Sequence, residues 1–450
     1  MALTGLQIFK LLPKTNCRDC GFATCMAFAM ALAAGKASLE ACPHASDEAR
    51  ATLGAAAEPP VRLIAVGRGE NAVELGGEVV LFRHEKTFYH PTAVAIEVRD
   101  DLPEPQLVER LQRIHSLAFE RVGLTMRVDM VAVRQTGPEA DAFVGAVRLV
   151  RAHSPLPLIL ATPDPAAMRD ALGVCAAERP LLWGATESNR EAMASLAREH
   201  NCPLVVTAQD PARLAGLSEE IIRAGHRDII LHAACSGVGD TLRAATAIRR
   251  MAIKKRFRPF GLPILTSVSG NGDAYRAVLE AGTYVAKYAS IVVVDTVEPA
   301  VVLPLLTLRQ DIYTDPQKPI QVEATCYTIG NPGRNAPVLV TTNFSLTYFS
   351  VVNEVEASRI GSYLVTVDTD GTSVLTAWAS GKFGAEQISE ALDKTAVGER
   401  VDHRRVIIPG YVAVLSGRLA DLSGWEVSVG PREAAGIPAF LRAYTSGRAG

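Results

Sequence analysis

The chain has 450 residues, of which 48% are hydrophobic and 21% are charged, so it can bury large cores, and its length predicts two or three domains. Its formal net charge of -2 gives no basic footprint for nucleic acid, and no apolar run reaches the roughly 18 to 20 residues of a membrane helix. Since the first residues also lack the layout of a signal peptide, we expect a cytoplasmic protein that binds neither nucleic acid nor membrane.

The first predicted element is a metal-binding segment with four closely spaced cysteines. Cys17, Cys20, Cys25 and Cys42 follow the spacing C-x2-C-x4-C-x16-C, while the other four cysteines lie singly along the chain. Cytoplasmic thiols stay reduced, so clustered cysteines indicate metal ligation before disulfides. Three ligands on one loop and a fourth before Pro43 are typical of a 4Fe-4S cluster. Structural zinc sites differ, since they usually combine two pairs of cysteines, each pair with a C-x2-4-C spacing. A structural zinc site and four unrelated free cysteines are the alternatives.

A linker and a long alternation of strands and helices follow. Residues 55–60 have the composition of a linker, and residues 61–66 and 73–82 have the pattern of short strands. Eight apolar runs then alternate with amphipathic stretches, which predicts a closed TIM (β/α)8 barrel better than an open sheet. The predicted strands are 92–98, 128–133, 156–161, 180–185, 203–208, 228–232, 263–267 and 290–295, and the predicted helices include 105–121, 166–177, 188–199, 241–255 and 274–286.

The loops after these strands are polar, but they show no metal-ligand spacing and no paired nucleophile and base. Cys235 near His232 is a candidate nucleophile, although a packed thiol at a strand end is the favoured interpretation. We therefore expect the barrel to be a scaffold or a docking surface. The polar loop residues are Asp164, Glu187, Gln209, Asp210, Cys235, Ser236, Ser269 and Asn271.

The last third of the chain predicts a second α/β unit. Its strands are predicted at 337–341, 363–367, 405–408 and 425–429. Each is followed by a polar or glycine-bearing loop, the pattern of an open doubly wound sheet in which ligands bind beyond the carboxyl ends of the strands. Small hydroxyl residues and glycine suit a broad ligand fringed with amides, and the nucleotide fingerprints G-x-G-x-x-G and G-x-x-x-x-G-K-[ST] are missing. A domain without a ligand is the alternative.

Several long stretches resemble one known family. They are LTGLQIFKLLPKTNCRDCGFATCMAFAMALAAGKASLEACP at the N-terminus, FRHEKTFYHPT after the linker, and VTTNFSLTYFSV, VDTDGTSVLTAW, IIPGYVAVLSG and WEVSVGPREAAGIPAF in the last third. Together they resemble the large subunit of the corrinoid iron-sulfur protein, the gamma subunit family of the acetyl-CoA decarbonylase/synthase complex. The resemblance covers essentially the whole chain.

The resemblance implies an α/β multidomain protein with three parts. These are a small helical 4Fe-4S domain at 1–58, a TIM barrel with an N-terminal β extension at 59–318, and a Rossmann-like cobalamin-binding domain at 319–450. All four cysteines named above match the family's cluster ligands. The implied corrinoid contacts are Thr341, Thr347, Gly371, Thr372, Ser373, Val374 and Ala434, and Gly410 and Tyr411 are added from loop position alone.

The implied function is that of a methyl-group carrier in the reductive acetyl-CoA pathway. The cobalt would take a methyl group from methyltetrahydrofolate through a methyltransferase and pass it to acetyl-CoA synthase, while the cluster restores reduced cobalt. The methyl transfer itself would belong to the cofactor and to the partner enzymes. The motif D-x-H-x-x-G is absent, so we expect a base-off corrinoid without a protein nitrogen on cobalt.

The resemblance implies three partners: a small subunit that forms a heterodimer with this chain, the methyltetrahydrofolate methyltransferase and acetyl-CoA synthase. We expect hinges at 55–60 and 315–319, where alanine and proline are frequent. The alternative functions are a barrel enzyme that acts on a pterin by itself and a ferredoxin-like electron carrier.

Overall fold

The computed structural model describes residues 5–33, 37, 39–46, 49, 59–268, 273–315 and 319–447. The chain divides into two compact units, residues 1–119 with 126–313 and residues 120–125 with 314–450. Residues 316–318 of the expected hinge and residues 55–58 of the expected linker lie outside the described residues.

Two short helices precede and follow the first three cysteines. They are α1 (Gly5–Leu11) and α2 (Cys25–Ala33). Ile8 of α1 packs with Phe28 and Ala29 of α2 in a small apolar core. The N-terminal segment therefore has a core of its own, built by the apolar runs that the sequence places around the cysteines.

The strands between residues 64 and 294 form three sheets. In chain order they are β1 (Ile64–Val66), β2 (Val73–Leu75), β3 (Ala93–Arg99), β4 (Ala118–Arg121), β5 (Leu124–Arg127), β6 (Met130–Arg134), β7 (Leu158–Ala161), β8 (Leu181–Ala185), β9 (Leu204–Ala208), β10 (Ile229–Ala233), β11 (Leu265–Val268) and β12 (Ile291–Val294). Eight of them form one parallel sheet in the order β10-β9-β8-β7-β6-β3-β12-β11. Its edges meet at a bridge between Leu231 and Ile264, so the sheet is a nearly closed barrel, as the sequence predicts.

Helices alternate with the barrel strands. They are α3 (Glu104–Ser116), α4 (Ala140–His153), α5 (Pro165–Cys175), α6 (Arg190–Glu199), α7 (Pro211–Arg223), α8 (Val238–Lys255), α9 (Ala274–Ala286) and α10 (Pro299–Tyr313). The predicted polar loop residues Asp164 and Asp210 cap α5 and α7, because their carboxylates accept backbone N–H groups of the first turns. Among the described helices, none is both long and apolar enough to cross a membrane.

The hairpin of β1 and β2 covers the N-terminal end of the barrel. Ile64, Val66 and Leu75 join the apolar cluster of the barrel interior. The hairpin is also held by polar groups that precede the strands: Arg179 donates to the carbonyl of Ala65, and Asp228 accepts from Arg179 at 2.6 Å. The residues expected to form an N-terminal β extension are therefore a plug at the bottom of the barrel.

Two local predictions in this unit are wrong. The helix predicted at 105–121 ends at Ser116, and a hairpin of β4 and β5 follows it. The strand predicted at 73–82 ends at Leu75. The stretch FRHEKTFYHPT continues as irregular chain, anchored where Thr92 donates to the carbonyl of Ala289 at 2.6 Å.

The second unit is a five-stranded sheet with helices on both faces. Its strands are β13 (Cys326–Ile329), β14 (Val338–Thr342), β15 (Ser362–Val367), β16 (Arg405–Ile408) and β17 (Glu426–Val429). Its helices are α11 (Ser345–Ser358), α12 (Val374–Ala379), α13 (Ala385–Lys394), α14 (Val397–Arg400), α15 (Ser416–Ser423) and α16 (Ile437–Thr445).

The order of this sheet is β13-β15-β14-β16-β17, and only β13 is antiparallel among its described strands. Leu339 and Leu364 pack on the side of α11 and α16, whereas Val340 and Val365 pack on the side of α13 and α15. Both faces are therefore buried, which explains why these strands are continuous apolar runs. The four parallel strands lie where the sequence predicts them, and β13 is an addition.

Gly184 lies at an irregularity in barrel strand β8. The register between β8 and β9 shifts between Trp183 and Ala185. A Cβ at Gly184 would overlap the carbonyl of Thr162, so only glycine permits this close approach.

We predict that Gly184→Ala lowers the free energy of unfolding by about 2 kcal/mol or more, because the added methyl group must displace the backbone of the neighbouring strand. Denaturant unfolding followed by circular dichroism measures the change.

The matched control is Gly173→Ala. Gly173 lies within α5, and a Cβ there would meet no atom within 4 Å. This change should leave stability unchanged or raise it by up to about 1 kcal/mol. Equal effects of the two substitutions would contradict the steric explanation.

Candidate functional site

The four clustered cysteines differ in exposure. Cys17 is exposed and Cys20 is half-buried, while Cys25 and Cys42 are 7% and 4% exposed. Cys25 is the first residue of α2, and Cys42 follows a short 3-10 helix at Leu39–Ala41. The three inner thiols belong to one apolar core that also contains Ile8, Leu12 and Phe28. This core can shield a bound metal group from water.

The loop before α2 has the backbone of an anion-binding turn. Lys14, Asn16, Arg18 and Gly21 have positive φ angles of 61°, 51°, 71° and 82°, and the residues between them do not. Alternation of this kind directs successive N–H groups into a concavity that favours negative charge. Asn16 and Cys25 fix the turn, since the Cys25 N–H donates to Oδ1 of Asn16 at 2.8 Å and the Asn16 N–H donates to Sγ of Cys25 at 3.4 Å.

These features suit a thiolate-bound cluster. Four cysteine thiols supply the donor set, the backbone supplies N–H groups, and N–H donors to sulfur are what Fe-S clusters require. Cys17 lies within 4.8 Å of ligand atoms of Asp19 and His44, a set that could also hold zinc. Asp19 accepts from His44 at 2.7 Å, and this hydrogen bond, with one from Cys17, lowers the pKa of Asp19. Sequence reasoning missed the pair of Asp19 and His44.

The remaining cysteines are packing residues. Burial raises the pKa of Cys175 to about 12 and that of Cys202 to about 11, so neither thiol ionises near neutral pH. Burial also raises the pKa of Cys235 and Cys326. Thr241 is the side-chain hydrogen-bond partner of Cys235, whereas Nδ1 of His232 lies 3.2 Å from the hydroxyl of Thr207. Cys235 therefore has no hydrogen bond to His232, which agrees with the favoured interpretation of a packed thiol.

The second unit contains an apolar pocket of about 360 Å³. It lies beyond the carboxyl ends of β14 and β16, the neighbouring strands from which the chain continues to opposite edges of the sheet. This is the position at which open α/β sheets bind ligands. The pocket is lined by Leu339, Val340, Thr341, Phe344, Leu346, Thr347, Ser350, Val351, Ser373, Val374, Ile407, Ile408, Pro409, Tyr411, Gly430, Pro431, Arg432, Ala434 and Ile437.

The structure brings most of the predicted corrinoid contacts to this pocket. Five of the seven line it, as does Tyr411: these five are Thr341, Thr347, Ser373, Val374 and Ala434. Gly371 and Thr372 do not line it, although they lie in the loop that leads to Ser373. Gly410 is not a lining residue either. A Cβ there would lie 2.6 Å from the carbonyl oxygen of Gly430, so glycine is required where the two loops cross.

Thr341 carries the clearest sign of a missing partner. Its side chain is 1% exposed, it lines the pocket, and its hydroxyl has no hydrogen-bond partner among the described residues. A buried hydroxyl without a partner costs about 1–3 kcal/mol. Thr342 has the same defect but does not line the pocket. A ligand with a polar fringe would relieve the cost at Thr341.

Asn343 holds the loop after β15, and sequence reasoning missed it. Its Oδ1 accepts from the N–H and hydroxyl of Thr369 at 3.0 Å each and from the N–H of Gly371 at 3.2 Å. Its Nδ2 donates to Gln321 at 2.9 Å and to Asp368 at 3.1 Å. Asn343 is 3% exposed, so this network is fixed. The loop that ends in Ser373 and Val374 therefore depends on a residue outside the pocket.

Comparison with known proteins is consistent with both sites. A family model described as "CO dehydrogenase/acetyl-CoA synthase delta subunit" matches residues 63–441. A model described as "Putative Fe-S cluster" matches residues 12–44, which include all four cysteines. The second match favours an iron-sulfur cluster over the zinc alternative.

Full-length relatives show the same similarity. The chain is 50% identical over 443 residues to the "Corrinoid/iron-sulfur protein large subunit" of Moorella thermoacetica, with 98% of this chain and 99% of that one covered. It is 37% identical to the "Acetyl-CoA decarbonylase/synthase complex subunit gamma" of Methanothermobacter thermautotrophicus, with 98% and 99% covered. For the subunit of the same description from Methanopyrus kandleri, the identity is 37% and the shares are 98% and 97%.

We predict that Cys25→Ser lowers the iron content from about four per chain to well below that number, because a 4Fe-4S cluster uses four thiolates. Anaerobic purification of the full chain, followed by iron and sulfide assay, measures the loss. The matched control is Cys235→Ser, which changes a thiol outside the N-terminal segment and should retain full iron. Equal iron in both variants would exclude Cys25 as a ligand.

Proposed function

The chain belongs to the family of the corrinoid/iron-sulfur protein large subunit, and on that premise we propose that it carries methyl groups in the reductive acetyl-CoA pathway. The observation that carries this proposal is the presence of two separate sites on one chain. One is a four-cysteine turn with an apolar cover, and the other is an apolar pocket with a buried, unpartnered hydroxyl at a ligand-binding edge. When bound, the corrinoid cobalt supplies the site for the methyl group, and the cluster supplies the electron that restores reduced cobalt.

The N-terminal segment is the proposed electron-transfer domain. Cys17, Cys20, Cys25 and Cys42 would hold the cluster, the positive-φ turn at 14–21 would direct N–H groups to its sulfurs, and Phe28 with Ile8 would exclude water. Burial and N–H donors are the terms that set cluster potential. We propose residues 1–58 as this domain.

The second unit is the proposed Rossmann-like, cobalamin-binding domain, residues 319–450. Thr341, Thr347, Ser373, Val374 and Ala434 would contact the corrinoid, and Gly371 and Thr372 would act by shaping their loop. Small side chains leave room for the ring, and their hydroxyls and backbone N–H groups suit its amide side chains. The apolar lining suits the faces of the ligand.

The histidine content of this domain supports the proposal of a base-off corrinoid without a protein nitrogen on cobalt. His403 is the only histidine in residues 319–450. Its Nε2 lies 3.1 Å from the carbonyl of Ala336, and its Nδ1 accepts from the N–H of Arg405 at 3.2 Å. Both ring nitrogens are therefore occupied, so this histidine cannot ligate cobalt. Absence of a nitrogen ligand eases reduction of the metal.

A carrier of this kind needs several partners. We propose a small subunit with which this chain forms a heterodimer, a methyltransferase that donates from methyltetrahydrofolate, and acetyl-CoA synthase as acceptor. The expected hinges at 55–60 and 315–319 would allow the corrinoid to be presented to each enzyme in turn.

The direct test is an anaerobic absorption and EPR spectrum of the chain co-expressed with its small subunit and supplied with corrinoid. We predict a base-off Co(II) signal. In Thr341→Val, the affinity for corrinoid should fall about fivefold, because a hydrogen bond worth about 1 kcal/mol is lost. If the unmodified complex contained iron but no cobalt, the methyl-carrier proposal would be overturned, and the chain would be interpreted as an electron carrier.

Thr342→Val is the matched control. Both threonines are buried and lack a hydroxyl partner, but only Thr341 lines the pocket. Replacing an unpartnered hydroxyl by a methyl group of the same shape should not destabilise either variant. Equal cobalt retention in both would remove Thr341 from the corrinoid site.

We predict that Asn343→Leu weakens corrinoid binding at least about tenfold, because the loop at 369–371 loses the acceptor that fixes it. Asn343→Asp keeps an acceptor for the same three donors and should retain more cobalt. Cobalt quantification of both variants, with circular dichroism as a check of folding, measures the difference. Identical cobalt contents in two folded variants would contradict this role of Asn343.

A further inference from the structure

The carboxyl end of the barrel is lined by polar and charged side chains. Alternate residues of a strand face the same side, so residues two positions beyond the buried interior positions also point inward. Those interior positions are Ala95, Ala132, Val205, Ile230, Leu265 and Val293. The corresponding inward residues at the mouth are Glu97, Arg134, Thr207, His232, Ser267 and Asp295.

Five side chains form a continuous layer at this mouth. Nε of Arg134 donates to Glu97 at 2.7 Å, and the Arg134 guanidinium lies 4.6 Å from the ring centroid of Trp183. The edge of Trp183 meets the ring of His232 at 5.2 Å, and His232 lies 3.2 Å from the hydroxyl of Thr207. The layer is therefore held in one arrangement before any ligand arrives.

A second arginine is held at the rim. Arg110 of α3 donates to the carbonyl of Glu97 at 2.9 Å and to the carbonyl of Asp295 at 2.7 Å. Within the described part of the chain, the two terminal amino groups of Arg134 and the carboxylate of Asp295 have no hydrogen-bond partner. Both kinds of charge therefore remain available at one opening.

A cavity of about 510 Å³ lies between these groups. It is lined by Glu97, Arg99, Leu102, Arg110, Arg134, Ser267, Val268 and Asp295. Its volume is that of a small-molecule site. Burial, with a smaller contribution from Arg134, lowers the pKa of His232 to about 4, so its ring is neutral at neutral pH. Charges held in a partly dry layer seldom increase stability over apolar packing. These charged side chains would therefore not increase the stability of a barrel that served only as a scaffold.

We propose that the barrel mouth binds a small zwitterionic molecule of the amino-acid type. Its carboxylate would be held by the free edge of Arg134 with Arg110 nearby, and its ammonium group by Asp295 with the hydroxyl of Ser267. The guanidinium edge matches the planar geometry of a carboxylate, and an exposed carboxylate such as that of Asp295 is a natural acceptor for an ammonium group, even though it also interacts with the charge of Arg110. The expected role of the barrel as a pure scaffold is thereby extended to that of a ligand site.

The test is isothermal titration calorimetry of the cofactor-loaded heterodimer with three probes of matched length: 4-aminobutyrate, butyrate and butylamine. We expect 4-aminobutyrate to bind at least about tenfold more tightly than either probe that lacks one charged end. Arg134→Gln and Asp295→Asn should each lower its affinity by about tenfold or more. Asp295 is exposed, so its variant folds even if the other does not.

Arg151→Gln is the matched control. Arg151 lies in the last turn of α4, at the opposite end of the barrel, where it pairs with Glu178. Its replacement should leave binding unchanged. No binding of 4-aminobutyrate, or equal binding of all three probes, would overturn the proposal. Iron and cobalt contents of the same samples report on the carrier function independently.

Discussion

Parallel strands bring all of their carboxyl ends to one edge of a sheet, and this constraint places every candidate site outside the N-terminal segment. In the barrel it gathers Glu97, Arg134 and Asp295 from strands far apart in sequence. In the second unit it brings the end of β14 beside the end of β16, where a pocket opens. The cores differ, but each fold presents its functional groups at the edge where the strand-to-helix loops begin.

Eight barrel strands and four strands of the second unit could be predicted from sequence because each is a short apolar run between polar loops. The elements that were missed or misplaced were so for physical reasons. The pattern of the helix at 105–121 continued past Ser116, where a polar hairpin carries no strong signal. The edge strand β13 has only four residues, and only the first and the last of them are buried. Asp164 and Asp210 could be placed only as polar loop residues in sequence, because helix caps and binding sites use the same residue types.

The site residues also divide into those that the sequence predicted and those that only the fold reveals. The cysteine spacing predicted the cluster ligands, whereas the pairing of Asp19 with His44 spans 25 residues and gives no local signal. Loop position alone placed Tyr411 at the pocket, but the residues carried over by resemblance include Gly371 and Thr372, which do not line it. Asn343 acts through backbone N–H groups, and the polar layer of the barrel mouth exists only after strands close into a ring. Such features become visible when the fold is known.

The plug at the bottom of the barrel has a consequence for synthesis of the chain. Arg62 beside β1 pairs with Asp228, which lies 166 residues later, and its N–H donates to the carbonyl of Gly261. A ribosome therefore releases the plug long before the strands that it seals. During that interval the hairpin lacks the part of its cluster that Leu265, Ile291 and Val293 supply, so its apolar residues stay partly uncovered until the last barrel strands emerge. Non-local pairing of this kind makes closure of the barrel slow, because contacts distant in sequence must form before the hairpin is fully covered.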